Sequence, residues 1–360
     1  MALQKRLERY SLGVMMAAAS PTTSSSAAPA TRLTDSHGRV IHDLRVSITD
    51  RCNYKCVYCR TGELGAQYAE LGIGEYLRII RLFVGLGIEK VRLTGGEPLL
   101  RHGLLELLQE LARMRTLAGE PLDLALTTNG HLLESMAPQL KAAGLNRITV
   151  SMDAVDEPTF ERITRIPGSF QTVLAGIRAA RDAGLTPLKV NCVLLRGFND
   201  GEIEGFAHFA RRENVVVRFI EFMPLEEGRL WTPQIVVPLQ EIVERIQRVL
   251  PLTSLPPREA SETARRYTFA DGVGEIGIIA PVSQAFCGAC SRVRLTSDGK
   301  IRTCLFSQTE HDLYGRMRAG QSDAELSAFI AGTVQGKEAR HHIGEPGFLK
   351  PSRSMVHIGG

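Results

Sequence analysis

The stretch LRVSITDRCNYKCVYC, residues 44–59, joins an apolar, β-branched run to three closely spaced cysteines. Runs of similar strand-like composition follow at 90–94, 122–127, 147–152, 188–195 and 215–223. The segments between these runs carry apolar residues at spacings of three and four, and several end in glycine, as helix C-termini do. Strand and helix therefore alternate along the chain, which predicts a parallel α/β sheet with helical crossovers.

A chemically distinctive segment follows each predicted strand: DRCNYKC, GGEP, TNG, SMDA, RGFND and EFMP. In parallel barrels the loops that follow the strands meet on one face, and that face carries the active site. An open doubly wound sheet fits the same alternation, but the position of these segments favours a barrel. Six units are fewer than eight, so we expect an incomplete (β/α)6 TIM-type barrel with an open side, over residues 33–256.

The pattern changes after Pro256. The segment FCGACSRVRLTSDGKIRTCLF, residues 286–306, holds a second cysteine trio, and its Ser-Asp-Gly sequence at 297–299 predicts a hairpin turn. That turn would return Cys304 to the side of Cys287 and Cys290. We therefore expect a small C-terminal cysteine-bearing domain over 257–340, with a polar helical segment from 312 to about 337, and a flexible tail over 341–360 that ends in Gly-Gly.

Length and composition indicate an ordinary globular enzyme. The 360 residues are 44% hydrophobic and 23% charged, and no apolar run approaches the roughly 20 residues that cross a bilayer, so we expect no membrane association. The net charge of +4 suits an anionic substrate such as a nucleoside triphosphate. Nucleic-acid binding usually requires a concentrated basic stripe, which the sequence lacks, so we expect no nucleic-acid partner.

The first 32 residues differ from the rest of the chain, because they are rich in Ser, Thr, Ala and Pro. We expect a disordered leader, or a start codon placed too far upstream with Met15 or Met16 available. A mitochondrial transit peptide and a weak secretory signal are the alternatives. Clustered metal-type thiols belong in a reducing compartment, which predicts the cytoplasm, or the mitochondrial matrix if the leader is a transit peptide.

The first trio, Cys52, Cys56 and Cys59, has the spacing C-x3-C-x2-C. A closed structural metal site takes four protein ligands and a disulfide framework takes an even number of cysteines, so three thiols indicate a metal centre with an open position. Zinc would need a histidine or a fourth cysteine nearby, which the intervening residues do not offer. The sequence therefore favours an iron–sulfur cluster with one under-ligated iron, while Cys192 is expected to be a buried core residue.

This motif, with Tyr58 before its last cysteine and at the end of the first strand, resembles the radical S-adenosylmethionine superfamily. The TGGEP at 94–98 resembles the second signature of that superfamily, in which Gly95 and Gly96 would let the backbone approach the cofactor closely. The resemblance implies a [4Fe–4S] cluster on the first trio whose open iron chelates S-adenosylmethionine. Reductive cleavage of this cofactor would give a 5′-deoxyadenosyl radical that abstracts hydrogen from the substrate.

Three further cysteines, two arginines and a terminal glycine pair carry a closer resemblance. They are Cys287, Cys290, Cys304, Arg292, Arg294, Gly359 and Gly360. Together with matching segments from about Leu33 onward, they resemble the GTP 3′,8-cyclases of molybdenum-cofactor biosynthesis. The resemblance implies a second [4Fe–4S] cluster, in a C-terminal iron–sulfur domain, whose open iron binds the guanine base of GTP. The radical would take the ribose 3′ hydrogen, and the 3′ carbon would attack C8 to give 3′,8-cyclo-7,8-dihydro-GTP.

The same resemblance implies roles for individual residues. Contacts to S-adenosylmethionine would come from Tyr58, Gly96, Ser151 and Met223. Contacts to GTP would come from Arg45, Arg92, Thr127, Lys189, Arg292, Val293 and Arg294. Catalytic assistance would come from Arg292, Arg294, Gly359 and Gly360. Without the resemblance, Lys189 and Arg92 also fit solvated strand-end charges, and Met223 also fits core packing.

The implied partners are GTP, an electron-donor protein, the downstream cyclic pyranopterin monophosphate synthase and a second copy of the chain in a homodimer. Two alternatives remain open from the sequence. A radical S-adenosylmethionine peptide-maturation enzyme would generally carry more C-terminal cysteines, and a zinc-binding module would leave the strand-end signatures unexplained. The loop RTGELGAQYAE at 60–70 departs from the acidic Met-Pro-Glu-Glu type loop often found in the family.

Overall fold

The structure is a computed structural model that describes residues 32–59, 66–226, 228 and 230–359. The predicted leader lies outside the described residues except for its last position, Arg32. Gly360 also lies outside them, as does the part of the loop after Cys59 that spans 60–65.

The strands of the described residues belong to one sheet of twelve. They are β1 Asp43–Ser47, β2 Lys90–Thr94, β3 Asp123–Thr128, β4 Arg147–Ser151, β5 Lys189–Leu194, β6 Val216–Glu221, β7 Leu252–Leu255, β8 Ala264–Phe269, β9 Glu275–Ile279, β10 Arg292–Leu295, β11 Lys300–Arg302 and β12 His311–Asp312. Their spatial order is 12-11-10-1-2-3-4-5-6-9-8-7.

The six predicted strands form the centre of this sheet. β1 to β6 are neighbours in chain order and every pairing among them is parallel. The sheet does not close on itself, since β12 and β7 stand at its two edges. This confirms the predicted incomplete (β/α)6 barrel with an open side.

The C-terminal segment extends the sheet on both sides. β10 pairs in parallel with β1, and β9 pairs in parallel with β6. β10 and β11 are antiparallel, which confirms the hairpin predicted from Ser297 to Gly299. Because backbone pairing continues across the predicted boundary at 256, that boundary marks no break in the sheet, and the division into two domains stays a prediction.

Helices cross between the strands and cover the sheet. They are α1 Ile73–Gly85, α2 Leu104–Arg113, α3 Leu133–Ala142, α4 Glu157–Thr164, α5 Ser169–Asp182, α6 Ile203–Glu213, α7 Leu239–Val249, α8 Leu313–Arg318, α9 Asp323–Gln335 and α10 Met355–Ile358. The polar helical segment predicted from 312 to 337 is therefore two helices. α9 restarts after Gly320 because Ser322 caps it, with the Ser322 hydroxyl accepting from the Glu325 N–H and the Glu325 carboxylate accepting from the Ser322 N–H.

Alternation along the strands separates the core from the site. Leu44 and Val46 of β1 are fully buried in the hydrophobic core, and Arg45 between them lines a cavity on the other face of the sheet. Cys192 is also fully buried, which confirms its predicted place in the core. Among the described helices, none has the length and apolar character needed to cross a membrane.

The described part of the predicted flexible tail is packed against the rest of the molecule. Arg353 donates to both carboxylate oxygens of Asp298 at 2.8 and 2.9 Å, and its guanidinium lies 3.9 Å from the centre of the Tyr68 ring. Val356 and Ile358 of α10 are buried. The flexibility of the tail stays a prediction, and its described end lies inside the protein.

Candidate active site

A cavity of about 310 Å³ has both cysteine trios in its wall. These cysteines are Cys52, Cys56, Cys59, Cys287, Cys290 and Cys304. The first trio follows β1, and the second trio flanks β10 and β11. β10 pairs in parallel with β1, and Asp43 is in register with Arg292, so Cys287 and Cys290 lie toward the N-terminal end of β1 while the first trio follows its C-terminal end. Two motifs that are more than 200 residues apart in the sequence therefore line one cavity from opposite ends of the parallel strands.

Backbone hydrogen bonds hold the first trio in place. The Val57 N–H donates to the Ile163 carbonyl of α4 at 3.0 Å, and the Cys59 N–H donates to the Cys56 carbonyl at 3.0 Å. Burial, followed by the negative charge of Asp153, raises the pKa of the Cys56 thiol well above its usual value. The protein alone therefore disfavours the thiolate here, and a bound cationic group would favour it.

The second trio lies among cations. Cys290 follows the helical turn Cys287–Ala289, and Arg292 donates to its sulfur at 3.4 Å. Burial raises the pKa of Cys290, but the positive charges of Arg292 and Lys337 outweigh burial and lower it to about 7. The Arg292 guanidinium also lies 5.0 Å from the centre of the Phe286 ring. Cys290 is thus prepared for thiolate, the form that binds iron, whereas burial raises the pKa of Cys304.

The chemistry of the donors fits iron–sulfur clusters. All seven cysteines lie in the described part of the chain and are reduced, and the six in the trios are half-buried at the cavity. Within the described residues, no three His, Cys, Asp or Glu side chains are grouped so that they could hold one metal ion. In a four-iron cube each cysteine binds a different iron, so the sulfurs lie further apart than around one ion. Soft thiolates at a shared cavity suit such a cube.

The two glycines of TGGEP lie against the first cysteine loop. A Cβ atom on Gly95 would lie 2.3 Å from the Thr49 carbonyl oxygen, and one on Gly96 would lie 2.3 Å from the Arg51 carbonyl oxygen. The Gly96 N–H donates to the Thr49 carbonyl at 2.8 Å. The sequence interpretation gives these glycines only a close approach to the cofactor. The structure adds contact between two loop backbones, which leaves no room for a side chain.

The residues predicted to contact S-adenosylmethionine all lie in the wall of the cavity. They are Tyr58, Gly96, Ser151 and Met223. The Tyr58 hydroxyl donates to Asp153 Oδ2 at 2.6 Å, and the Val193 N–H donates to Asp153 Oδ1 at 2.8 Å. Burial raises the pKa of Asp153 to about 6 despite these two hydrogen bonds. Sequence analysis does not single out Asp153, although its place in the SMDA segment after β4 is a usable signal.

Glu97 is a second residue that sequence analysis misses. Its carboxylate accepts hydrogen bonds from the Leu99 N–H at 2.9 Å, the Thr128 hydroxyl at 2.7 Å and the Asn129 N–H at 2.7 Å. Burial raises its pKa to about 7. Glu97 therefore links the loop after β2 to the loop after β3. The Thr-Asn-Gly segment is stabilised by these hydrogen bonds to Glu97 and not by its own turn alone.

Three arginines lie side by side between the two trios. Arg45 of β1 is in register with Arg92 of β2 on one side and with Arg294 of β10 on the other. Burial, together with repulsion from Arg292 and Arg92, lowers the pKa of Arg45 to about 10. Arg45 Nε is buried and has no hydrogen-bond partner among the described residues. Packed, desolvated cations of this kind favour a highly charged anion.

Arg218 of β6 joins this group, although sequence analysis does not name it. It lines the cavity, and its Nε donates to Asn191 Oδ1 at 2.9 Å. Burial, followed by repulsion from Arg92 and Arg45, lowers its pKa to about 9. The signal in the sequence is an arginine between apolar residues in a strand, the pattern that also surrounds Arg45 and Arg92.

Two of the predicted GTP contacts do not lie in the wall of the cavity. Val293 is buried in the hydrophobic core, because alternate residues of β10 face opposite sides of the sheet. Lys189 is the first residue of β5 and lies two positions before Asn191, which does line the cavity. Burial, followed by repulsion from Arg218, lowers the pKa of Lys189 to about 7. Thr127 is in the wall and accepts a hydrogen bond from Arg92 at 3.3 Å.

The C-terminal tail reaches the arginine row. Arg294 Nη1 donates to the Gly359 carbonyl and, at 3.4 Å, to the Ile358 carbonyl. Gly359 has a φ of +68°, and a Cβ atom there would lie 2.5 Å from Thr94 Cγ2. Glycine is therefore required by conformation and by space. Gly360, the other predicted tail residue, lies outside the described residues.

Comparison with known proteins agrees with this arrangement. The family model described as radical SAM superfamily matches residues 46–210, and the model described as molybdenum cofactor synthesis C matches residues 215–343. A relative from Moorella thermoacetica named GTP 3′,8-cyclase is 43% identical over 329 residues, which cover 91% of this chain and 99% of that protein. A GTP 3′,8-cyclase from Streptomyces coelicolor is 42% identical over 335 residues, covering 91% of this chain and 96% of its own.

Solved structures support the fold. Streptococcus suis SuiB bound to S-adenosylmethionine has a TM-score of 0.57 at 13% identity, over 83% of this chain and 69% of its own. SuiB bound to the precursor peptide SuiA has a TM-score of 0.60 at 14% identity, over 83% of this chain and 68% of its own. Identity this low speaks to the fold alone. On the strength of the sequence relatives, the chain belongs to the GTP 3′,8-cyclase family, within the radical S-adenosylmethionine superfamily.

Proposed function

We propose that this protein converts GTP to 3′,8-cyclo-7,8-dihydro-GTP, the first step of molybdenum-cofactor biosynthesis. The observation that carries the proposal is the row of one buried and two half-buried arginines, Arg294, Arg45 and Arg92, between two cysteine trios in one cavity. This arrangement supports a radical-generating site and an anion-binding site in the same cavity. A peptide-maturation enzyme would have no evident use for that row.

At the first trio, Cys52, Cys56 and Cys59 would hold a [4Fe–4S] cluster with S-adenosylmethionine. When bound, this pair supplies a 5′-deoxyadenosyl radical for hydrogen abstraction. The chain positions the cofactor through Tyr58, whose hydroxyl is fixed by Asp153. Asp153 also places a carboxyl group beside a site that would receive a positively charged sulfonium.

At the arginine row, Arg45, Arg92 and Arg294 would bind the triphosphate, with Arg218 on the β6 side. Guanidinium groups suit phosphate because they offer several fixed donors and stay charged. Burial first, and then their mutual repulsion, lowers the pKa values of Arg45 and Arg218, and a bound anion would offset both effects. Binding energy from the triphosphate would thus orient the ribose without taking part in the bond changes.

At the second trio, Cys287, Cys290 and Cys304 would hold a second [4Fe–4S] cluster, with the guanine base directed toward it. Support comes from the cationic surroundings and the lowered pKa of Cys290. Gly359, held by Arg294, would keep the tail beside the ribose and exclude water.

Other partners complete the proposal. The radical chemistry needs an electron-donor protein, and its product would pass to the cyclic pyranopterin monophosphate synthase. We further propose a homodimer, located in the cytoplasm, or in the mitochondrial matrix if the leader is a transit peptide. Support for this location comes from the clustering of the cysteines in two metal-type trios, which suits a reducing compartment.

The test is anaerobic incubation of the reconstituted protein with GTP, S-adenosylmethionine and a chemical reductant, followed by mass spectrometry and NMR of the nucleotide product. We expect 3′,8-cyclo-7,8-dihydro-GTP together with 5′-deoxyadenosine and methionine. Cofactor cleavage with GTP recovered unchanged would contradict the proposed substrate.

A further inference from the structure

His341 lies at the end of the cavity that holds the second trio, and neither the mechanism above nor the sequence analysis uses it. It lines the cavity together with Cys304, Phe306 and Lys337. Its Nε2 atom is buried and has no hydrogen-bond partner among the described residues. Buried polar atoms are normally paired, so an unpaired one in a binding cavity indicates a place for a ligand atom.

The orientation of the His341 ring is set by its neighbours. The ring packs against Phe306, with 5.2 Å between ring centres and 58° between ring planes. Its Nδ1 is in reach of the Ile343 N–H through a long hydrogen bond of 3.5 Å. With Nδ1 as the acceptor, the neutral ring carries its proton on Nε2, and the protonated ring donates from Nε2 as well. In either state His341 offers an N–H donor from Nε2.

The two cations of this end are held by the protein. Lys337 Nζ donates to the Thr303 carbonyl, and Arg292 donates to the Cys290 sulfur. The rest of the wall here includes the aromatic rings of Phe286 and Phe306, which suit a flat base more than a phosphate. The phosphate-binding arginines lie on the strands instead. A buried donor without a partner among the described residues, beside aromatic rings, therefore points to recognition of the base.

We propose that His341 donates a hydrogen bond from Nε2 to O6 of the guanine base and thereby selects guanine over adenine. This inference rests on the proposed function, because it requires GTP with its base at the second trio. Guanine presents two acceptors, O6 and N7, on one edge, whereas adenine presents N7 and an N6 amino donor. A fixed donor is satisfied by guanine and opposed by the adenine amino group. Loss of such a contact typically costs roughly tenfold to a hundredfold in affinity.

The test measures nucleotide binding by calorimetry, on anaerobically reconstituted full-length protein with its iron content determined. His341→Phe keeps a ring against Phe306 and removes the donor. His342→Phe is the matched control, because the neighbouring His342 is exposed and pairs with Glu345 at 2.8 Å. We expect the GTP Kd of His341→Phe to rise roughly tenfold or more, with little change for ATP, while His342→Phe behaves as the wild type. His341→Gln, which keeps an N–H donor, should recover part of the preference.

An unchanged preference for GTP over ATP in His341→Phe would overturn the inference. If that variant loses iron, the wild-type protein still decides the matter through two analogues. 2-Aminopurine riboside triphosphate lacks the O6 acceptor and should bind roughly tenfold more weakly than GTP, whereas 7-deaza-GTP keeps O6 and should bind about as well as GTP. Equal binding of GTP and the 2-aminopurine analogue, or a loss confined to 7-deaza-GTP, would overturn the inference. Should the wild type bind no GTP at all, the proposed function fails as well. If the wild type binds and cyclises GTP but the predictions for His341 fail, only the proposed role of His341 is refuted.

Discussion

The two cysteine trios share one cavity but lie in opposite electrostatic surroundings. Beside the first trio stands Asp153, and the pKa of Cys56 is raised, by burial first and then by that carboxyl group. Beside the second trio stand Arg292 and Lys337, and the pKa of Cys290 is lowered to about 7 although burial opposes this. The contrast lies between Cys56 and Cys290, since burial raises the pKa of Cys304 in the second trio as well. The charges beside the two trios therefore suit ligands of different charge.

The difference agrees with the proposed ligands. S-Adenosylmethionine carries a sulfonium cation, which a carboxyl-bearing site accommodates. GTP is a polyanion, and the second trio continues directly into the arginine row through Arg294. Each trio is held by a different part of the fold, the first by α4 and the second by β10, so the two sites can be altered separately.

The largest expected effect comes from removing a ligand of the first trio. Cys56→Ser should abolish cleavage of S-adenosylmethionine, because the radical-generating cluster loses one of its three thiolates. The measurement is 5′-deoxyadenosine release, with or without GTP. Cys192→Ala is the matched control, since Cys192 is buried in the core and outside the cavity wall. Full cleavage of S-adenosylmethionine by Cys56→Ser would refute the role of the first trio in generating the radical.

The corresponding change in the second trio should separate the two sites. Cys290→Ser is expected to lose cyclisation of GTP while it retains slow, uncoupled cleavage of S-adenosylmethionine, because the first trio stays intact. Both products are measured in one anaerobic reaction. Loss of cleavage in step with cyclisation would show that the two trios do not act independently.

A smaller effect is expected in the arginine row. Arg294→Ala should raise the Kd of GTP by about 10- to 100-fold, since a hydrogen bond to a charged group contributes roughly 1.5–3 kcal/mol. Uncoupled cleavage of S-adenosylmethionine should persist. Arg316→Ala, which removes an exposed arginine that packs on Phe329, is the control. GTP affinity equal to that of the wild type would refute the role of Arg294 in phosphate binding.

The contrast between the thiols can also be measured without substrate. In metal-free protein at pH 7, Cys290 should react with iodoacetamide at least about tenfold faster than Cys56, because the thiolate is the reactive form. Its rate should rise with pH through about 7 as the thiol loses its proton. Peptide mass spectrometry over a pH series gives both rates. Equal alkylation rates of Cys290 and Cys56 at pH 7 would contradict the proposed electrostatic difference between the two trios.

The succession of strands along the chain and the segments that form the site could be predicted from sequence patterns. The run at 90–94 is β2 residue for residue, and the Ser-Asp-Gly turn forms the predicted hairpin. Such features are local, since period-2 alternation and turn chemistry depend on neighbouring residues. The cysteine spacing is equally local, and all six trio cysteines line the cavity.

Contacts between residues that are far apart in the sequence could not be predicted from local sequence patterns. Pairing of β10 with β1 puts Arg294 next to Arg45, and no local pattern states which strands are neighbours. Arg218 and His341 can be recognised as candidate site residues only from the folded chain, in which both line the cavity. Alternation along β10 sends the Val293 side chain into the core, which a motif read as a unit does not reveal, and its predicted GTP contact stays a prediction.

The central claim is that each trio holds its own cluster in one shared cavity. The most direct measurement is iron and acid-labile sulfide per chain after anaerobic reconstitution, in the wild type, Cys56→Ser and Cys290→Ser, with Mössbauer spectra of each. The account predicts about eight irons in the wild type and about four in each variant, all in [4Fe–4S] form. A wild-type protein that holds zinc and no labile sulfide, or variants that lose both clusters together, would contradict it.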